Sequence, residues 1–205
     1  MLIAFILFLH ILPERESMVY QTNDKGKLGS IFVVSQLNDN YHIVYTSDRI
    51  IRVILDTVGL GTLRVEKTVD GKLELQAWLD EDFHVQFRGN RYRYREKDFV
   101  YDRHTLDFAL RGFLYYRTFK KTIRLHVPEF MIVNAELRVI GDDVVSGPLG
   151  DIACWKLEMK PRILFINWKF YFWIEKAYPH RFVKYEDSSG ENSIMLAEYT
   201  RACGI

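Results

Sequence analysis

The segment Asp102-Arg103-His104, with Asp107 shortly after it, has the residue types of acid-base chemistry, because a carboxylate beside an imidazole can orient a proton acceptor. No nucleophile stands at a defined spacing from it, so the segment reads as helix capping and a buried polar network. Asp80, Glu81 and Asp82 offer oxygen ligands for a hard cation, but three acidic residues between strand-like runs read as a solvated loop. The histidines at positions 10, 42, 84, 104, 126 and 180 form no close pair and no His-Glu-x-x-His motif. Ser146-Gly147-Pro148-Leu149-Gly150 lacks the glycine that a nucleophile elbow needs before its serine, and reads as a β-turn. Gly26-Lys27-Leu28-Gly29-Ser30 lacks the spacing of a phosphate loop. No catalytic residue, metal or cofactor is assigned, and a non-enzymatic protein is expected.

Binding chemistry is easier to place. Arg88, Arg91, Arg93 and Arg95 are expected on the face opposite Phe83, Val85 and Phe87, where they read as a solvated outer face or, as the alternative, a contact for an anionic surface. A binder of single-stranded nucleic acid interleaves stacking aromatics with such cations, whereas Tyr92 and Tyr94 are expected to point the other way. With a formal net charge of +1 the chain has no overall pull toward polyanions, and nucleic acid is excluded as a partner.

The elements that must carry these residues are strands. From the Gly147-Pro148-Leu149-Gly150 turn, three runs dense in aromatic residues follow as adjacent antiparallel strands. Asp151–Met159 sets Ala153, Trp155, Leu157 and Met159 on one face. Asn167–Glu175 sets Trp168, Phe170, Phe172 and Ile174 on one face, with Tyr171 and Trp173 on the other. Arg181–Tyr185 is the third. Turn signals recur at the short intervals of a meander and predict about nine to eleven strands. Gly89-Asn90 as a two-residue turn would pair Phe87 with Tyr92 and Val85 with Tyr94. At Asp70-Gly71, a three-residue loop with a bulge would pair Val65 with Leu75 and Leu63 with Ala77. One stretch reads as helix: Leu106, Ala109, Leu110, Phe113 and Leu114 fall at helical spacing over Thr105–Phe113, with Asp102 or Thr105 as cap.

The 205 residues fit a single large β domain with a sizeable core, 48% of them being hydrophobic and 15% aromatic. Cys154 and Cys203 make neither a disulfide framework nor a metal site, and both are expected as free thiols. Leu2 to Leu12 is apolar apart from His10 and too short for a spanning helix, which needs ~20 residues. It reads either as a signal peptide lacking its basic start or as a hydrophobic first strand or anchor. Residues 1–15 are taken as this leader and 16–205 as the domain.

The order Asp102-Arg103-His104-Thr105-Leu106-Asp107-Phe108-Ala109-Leu110-Arg111, a Leu/Val/Pro strand, Val139-Ile140-Gly141, Gly147-Pro148-Leu149-Gly150-Asp151 and Cys154-Trp155-Lys156-Leu157-Glu158 resembles an exported bacterial family, domain of unknown function number three thousand one hundred and eight. The resemblance covers residues 41 to 200. That family is similar in fold to periplasmic lipoprotein carriers of the LolA/LolB kind, which implies a curved antiparallel sheet wrapping helices around an apolar concavity, and a periplasmic or otherwise extracytoplasmic location.

Pattern and resemblance together give a mainly β fold: a half-barrel or nearly closed barrel with one short amphipathic helix on its concave face. The expected function is to hold or pass an apolar ligand such as a lipid acyl chain, lined by Leu106, Leu110, Phe113, Trp155, Leu157, Phe170 and Phe172, with the helix as a movable lid. The alternative is a structural or assembly module that meets another envelope protein through a sheet edge or through exposed Tyr171 and Trp173. A monomer is expected in either case.

Overall fold

The computed structural model describes residues 11–127, 131–163 and 168–202. Eight strands come first: β1 (Arg15–Asp24), β2 (Lys27–Leu37), β3 (Tyr41–Thr46), β4 (Arg49–Leu55), β5 (Thr62–Val69), β6 (Lys72–Leu79), β7 (Phe83–Phe87) and β8 (Asn90–Tyr94). After β9 (Val100–Asp102) a single-turn helix, α1 (Leu106–Ala109), is flanked by 3-10 turns at Arg103–Thr105 and Leu110–Gly112. The chain continues through β10 (Lys120–His126), β11 (Ile132–Gly147), β12 (Gly150–Pro161), β13 (Phe170–Glu175), β14 (Phe182–Asp187) and β15 (Asn192–Arg201).

These strands form one sheet. It runs from β8 down to β1, crosses to β15, and runs down again to β9, so the two outermost strands of the sequence pair at its middle. Only β9 with β10 is a parallel pairing. The two ends of the order, β8 and β9, are linked by residues 95–99, which reach no further than about 20 Å. A sheet this long curls through its accumulated twist, and here it must also bring its ends together. Across the seam the Asp102 N–H of β9 donates to Thr62 Oγ1 of β5 at 2.9 Å, and the ring of Phe83 (β7) meets that of His126 (β10) edge-on at 5.6 Å. The strands β8 and β9 do not pair with each other, so the roll stays open.

The three aromatic runs are β12, β13 and β14, adjacent and antiparallel as expected. Among the described residues there are fifteen strands, more than the nine to eleven that the turn signals predict. The turn Ser47-Asp48 between β3 and β4 has neither Gly nor Pro, so nothing in its composition announces it.

Both hairpin registers differ from expectation. At β7–β8 the turn is Arg88-Gly89, with φ of 47° and 84°, and Val85 pairs with Tyr92 and Phe83 with Tyr94. A turn of this kind needs positive φ at both central residues, which puts the glycine second rather than first. The slip is two residues, so every side chain keeps its face. At β5–β6 the turn is Asp70-Gly71 itself, and the irregularity lies between Lys67 and Thr68, so that Val65 pairs with Ala77. The bulge sits up the strand instead of in the loop.

Residues ahead of Glu16 already touch the core. Leu12 is fully buried, and the Tyr41 hydroxyl both donates to its carbonyl, at 3.1 Å, and accepts from its N–H, at 3.2 Å. Its apolar side chain gains more from the core than from water, so the chain from Ile11 onward belongs to the fold. Residues 1–10 of the expected leader and Cys203 lie outside the described residues.

Candidate functional site

The helical segment 103–112 plugs the roll. Phe108, Ala109 and Leu110 are fully buried, and Leu106 nearly so. Its polar residues are fastened as well. Arg111, also buried, donates to both carboxylate oxygens of Glu16 on β1, at 2.6 and 3.0 Å, and to the Pro179 carbonyl at 3.2 Å. Glu16 in turn accepts from the hydroxyl of Tyr199 at 2.9 Å and lies 3.5 Å from Ser35 Oγ. A bidentate buried pair whose remaining lone pairs are satisfied is the geometry that offsets the desolvation of both charges.

On the next face of the same segment, the Tyr45 hydroxyl donates to Asp107 Oδ1 at 2.6 Å. Burial pushes the Asp107 carboxyl up to about 7, although part of the side chain still meets solvent. A carboxyl whose pKa is raised by folding holds its proton more tightly in the folded state. Its cost to the fold is absent below about pH 4, grows as the pH climbs, and is complete above about 7. Asp107→Asn, which keeps an acceptor for Tyr45, is therefore expected to stabilise the protein by ~1–2 kcal/mol at pH 8, after discounting for exposure, and to be near neutral at pH 4.5. Urea melts at both pH values check this; an equal difference at the two would assign the effect to something other than the carboxyl's titration.

The Asp102 cluster sits at the seam. Asp102 bridges two imidazoles, with His104 Nδ1 at 2.7 Å from Oδ1 and His126 Nδ1 at 2.5 Å from Oδ2. Burial pushes its carboxyl up, but His104 and His126 outweigh that and hold it far below the usual carboxylate range. His126 with Asp102 is the pairing of a base with its orienting acid. Yet His126 Nε2, the nitrogen that would take a proton, is buried and has no hydrogen-bond partner among the described residues. The nearby hydroxyls of Thr62 and Thr105 are occupied by the Asp102 N–H and the Asp102 carbonyl. The arrangement is a clasp between β9, β10 and the start of the helical segment, and Asp102 caps that segment through the His104 N–H, as expected. His126 belongs to the cluster and was not singled out in the sequence, where it stands 24 residues from Asp102.

The residues expected to line an apolar ligand do gather. Leu106, Leu110, Leu157 and Phe172 lie in one core cluster, and Phe113, Trp155 and Phe170 pack against it. Their neighbours are other side chains: Phe172 meets Phe182 and Tyr185, Phe170 meets Tyr185, and Phe113 meets Tyr101, Tyr115 and Phe119. Leu110, Leu157, Ala77, Leu137 and Met159 have no surface that a water molecule can touch. Among the described residues, two depressions open at the surface, one beside His42, Val44, Arg52 and Arg64, the other beside Arg117 and Gly141.

Trp173 is buried, not exposed as the alternation suggests. It is 4% exposed and belongs to a second small core with Val145, Ile152, Cys154 and Val183, against which Tyr171 packs half-buried. The long β11–β12 hairpin supplies Val145, Ile152 and Cys154, so β12 and β13 have apolar groups on both faces. Asp143 accepts from Trp173 Nε1 at 2.8 Å, and the ammonium groups of Lys156 and Lys184 sit 4.8 and 4.7 Å from its ring. Burial pushes the Cys154 thiol up to about 12, and the cysteine is unpaired.

The arginine row is also partly spent. Arg88 stands in the turn and pairs with Glu74 at 2.9 Å, and Arg93 pairs with Asp82, leaving Arg91 and Arg95 as exposed cations. Among the described residues no three His, Cys, Asp or Glu side chains converge as metal ligands.

No protein-family model and no curated protein matches the chain. Solved structures do. A beta-barrel-like protein of domain of unknown function DUF1849 from Brucella abortus superposes with a TM-score of 0.53 at 13% identity, over 94% of this chain and 99% of that one. The hypothetical lipoprotein YmcC from Escherichia coli gives a TM-score of 0.41 at 10% identity, over 95% and 90% of the two chains. The first likeness shows the fold that the sequence reading expected, a curved and nearly closed antiparallel sheet. The particular family number read from the Asp102–Glu158 residues finds no matching model.

Proposed function

We propose that the protein is a non-enzymatic binding module of the cell envelope that recognises its partner with its outer surface and uses the rolled sheet as a rigid scaffold. The observation that carries this is the filled interior. Carrying an acyl chain requires an apolar space, and here the concave side is occupied by Leu106, Phe108 and Leu110 from the plug, held by the buried Arg111–Glu16 pair. Displacing the plug to admit a ligand would break that pair in a low-dielectric site, which costs several kcal/mol. The envelope setting rests on the apolar run Leu2–Leu9, which precedes the first residues packed in the core.

Native mass spectrometry of the purified chain tests the reading. The expected spectrum is a monomer at the sequence mass of 24.3 kDa without bound lipid. A one-to-one acyl-chain adduct that resists detergent washing would place a ligand inside the sheet and restore the carrier reading.

A further inference from the structure

Beside the plug, the molecule shows apolar side chains to water where the fold has no use for them. Leu114 is 86% exposed, Val58 80%, Tyr116 57% and Phe99 43%. Single exposed apolar residues are ordinary, but these four surround one junction. Phe99 lies flat against the loop that carries Val58: a methyl group on Gly59 or Gly61 would overlap its ring. The next residue in that loop, Leu60, packs against Gly112 at the end of the plug, two residues before Leu114. Tyr101 closes the junction, its hydroxyl donating to the Gly59 carbonyl at 3.3 Å and its ring meeting that of Phe113.

The supports are rigid. The Asp56 carboxylate accepts from the N–H groups of Val58, Gly59 and Gly61. The Tyr115 hydroxyl donates to the Leu110 carbonyl at 2.5 Å, and the rings of Tyr115 and Tyr116, on the residues after Leu114, both pack on that of Phe119. Val58 and Leu114 are thus held out into solvent by well-ordered loops.

The surrounding charge is positive. The Arg117 side chain is 85% exposed and, among the described residues, makes a single long ion contact of 3.6 Å, to Asp142, whose nearer partner is Lys176 at 2.9 Å. Lys121 is exposed, with its ammonium 4.9 Å from the Phe113 ring, and Lys97 is exposed beyond Phe99. Of the carboxylates nearby, Glu96 is taken by Arg124 and Asp56 by backbone N–H groups, while Asp98 stays exposed. Protruding aliphatic groups, a tyrosine at their margin and cations around them match the depth profile of a lipid interface, where acyl chains lie under phosphates.

We propose that this rim, Val58, Phe99, Leu114 and Tyr116 with Arg117 and Lys121, is a docking site for an anionic lipid surface. It rests on the reading of the protein as a surface binder and names what that surface meets. Vesicle flotation of the full chain tests it, with vesicles of phosphatidylcholine alone or with 30% (about one third, a charge density that attracts clustered cations) phosphatidylglycerol.

Wild type is expected to bind the anionic vesicles at least about tenfold more tightly, with the gain lost at high salt. Val58→Ser/Leu114→Ser should lose about tenfold or more on anionic vesicles, because both side chains are replaced where they face water and the fold does not need them. Arg117→Ser/Lys121→Ser should lose the preference for charge. Circular dichroism confirms that the variants are folded. Binding of both variants indistinguishable from wild type would assign any vesicle affinity to the apolar residues before position 11 and overturn the proposal, as would no wild-type binding at all. Either result leaves the lipid-free mass spectrum, and with it the surface-binder reading, standing.

Discussion

Arg111→Met is expected to cost ~3–5 kcal/mol, a large part of the ~5–15 kcal/mol by which domains are stable. The substitution nearly conserves volume, so the loss is electrostatic. It leaves the Glu16 carboxylate, which is 1% exposed, with the Tyr199 and Ser35 hydroxyls but no cation. It also frees the Pro179 carbonyl from the Nη2 donor at 3.2 Å and removes the guanidinium that lies 5.2 Å from the Phe108 ring centre. Adding Glu16→Gln to Arg111→Met should return all but ~1–2 kcal/mol, since a neutral amide can still accept from Tyr199 and no buried charge remains. Chemical denaturation of the two variants gives both numbers. A loss below ~1 kcal/mol for Arg111→Met alone would mean that the pair is solvated in solution and that the plug is loosely held.

What the sequence could and could not disclose follows from the range of each signal. The helical segment was legible in place because its signal is local: Leu106, Ala109 and Leu110 repeat at helical spacing and Asp102 does cap its start, but α-helix covers only Leu106–Ala109 of the expected Thr105–Phe113, and Phe113 is already extended. Arg111 stands in the same segment, yet nothing in its neighbourhood marks it as buried, because its partner Glu16 lies 95 residues away. The three aromatic strands were legible from alternation. Trp173 was misjudged because alternation assigns a face without saying what covers it, and the covering group is the tip of another hairpin. The hairpin registers failed by small slips because glycine marks a turn but not which of its positions it fills. Faces survived the slip at Gly89, which is why the core residues of β7 and β8 were right where their partners were wrong. The rim at Val58, Phe99 and Leu114 left no signal at all. Leu114 even fits the helical apolar pattern, and only the end of the helical segment at Gly112 turns it outward.

Leu110→Ala separates a plug from a lid. A leucine under a moving lid is buried for part of the time, so its truncation would cost less than a core leucine and would change the binding of an apolar probe. The structure gives the opposite expectation. Leu110 is fully buried between Ala109 and Arg111, its carbonyl accepts the Tyr115 hydroxyl at 2.5 Å, and the segment is anchored at both ends, by the Asp102 cap and by Glu16. Truncating it should therefore cost the full ~2–5 kcal/mol of a core leucine, because the rolled sheet cannot collapse onto the space. Affinity for a fluorescent fatty acid should stay as low in the variant as in wild type while the variant is folded, since the cavity made is that of a few methyl groups. Urea melts and fatty-acid titrations on the same samples decide between the two. A loss under ~1 kcal/mol together with altered probe binding would show that the segment opens, and the interior would again be the place to look for a ligand.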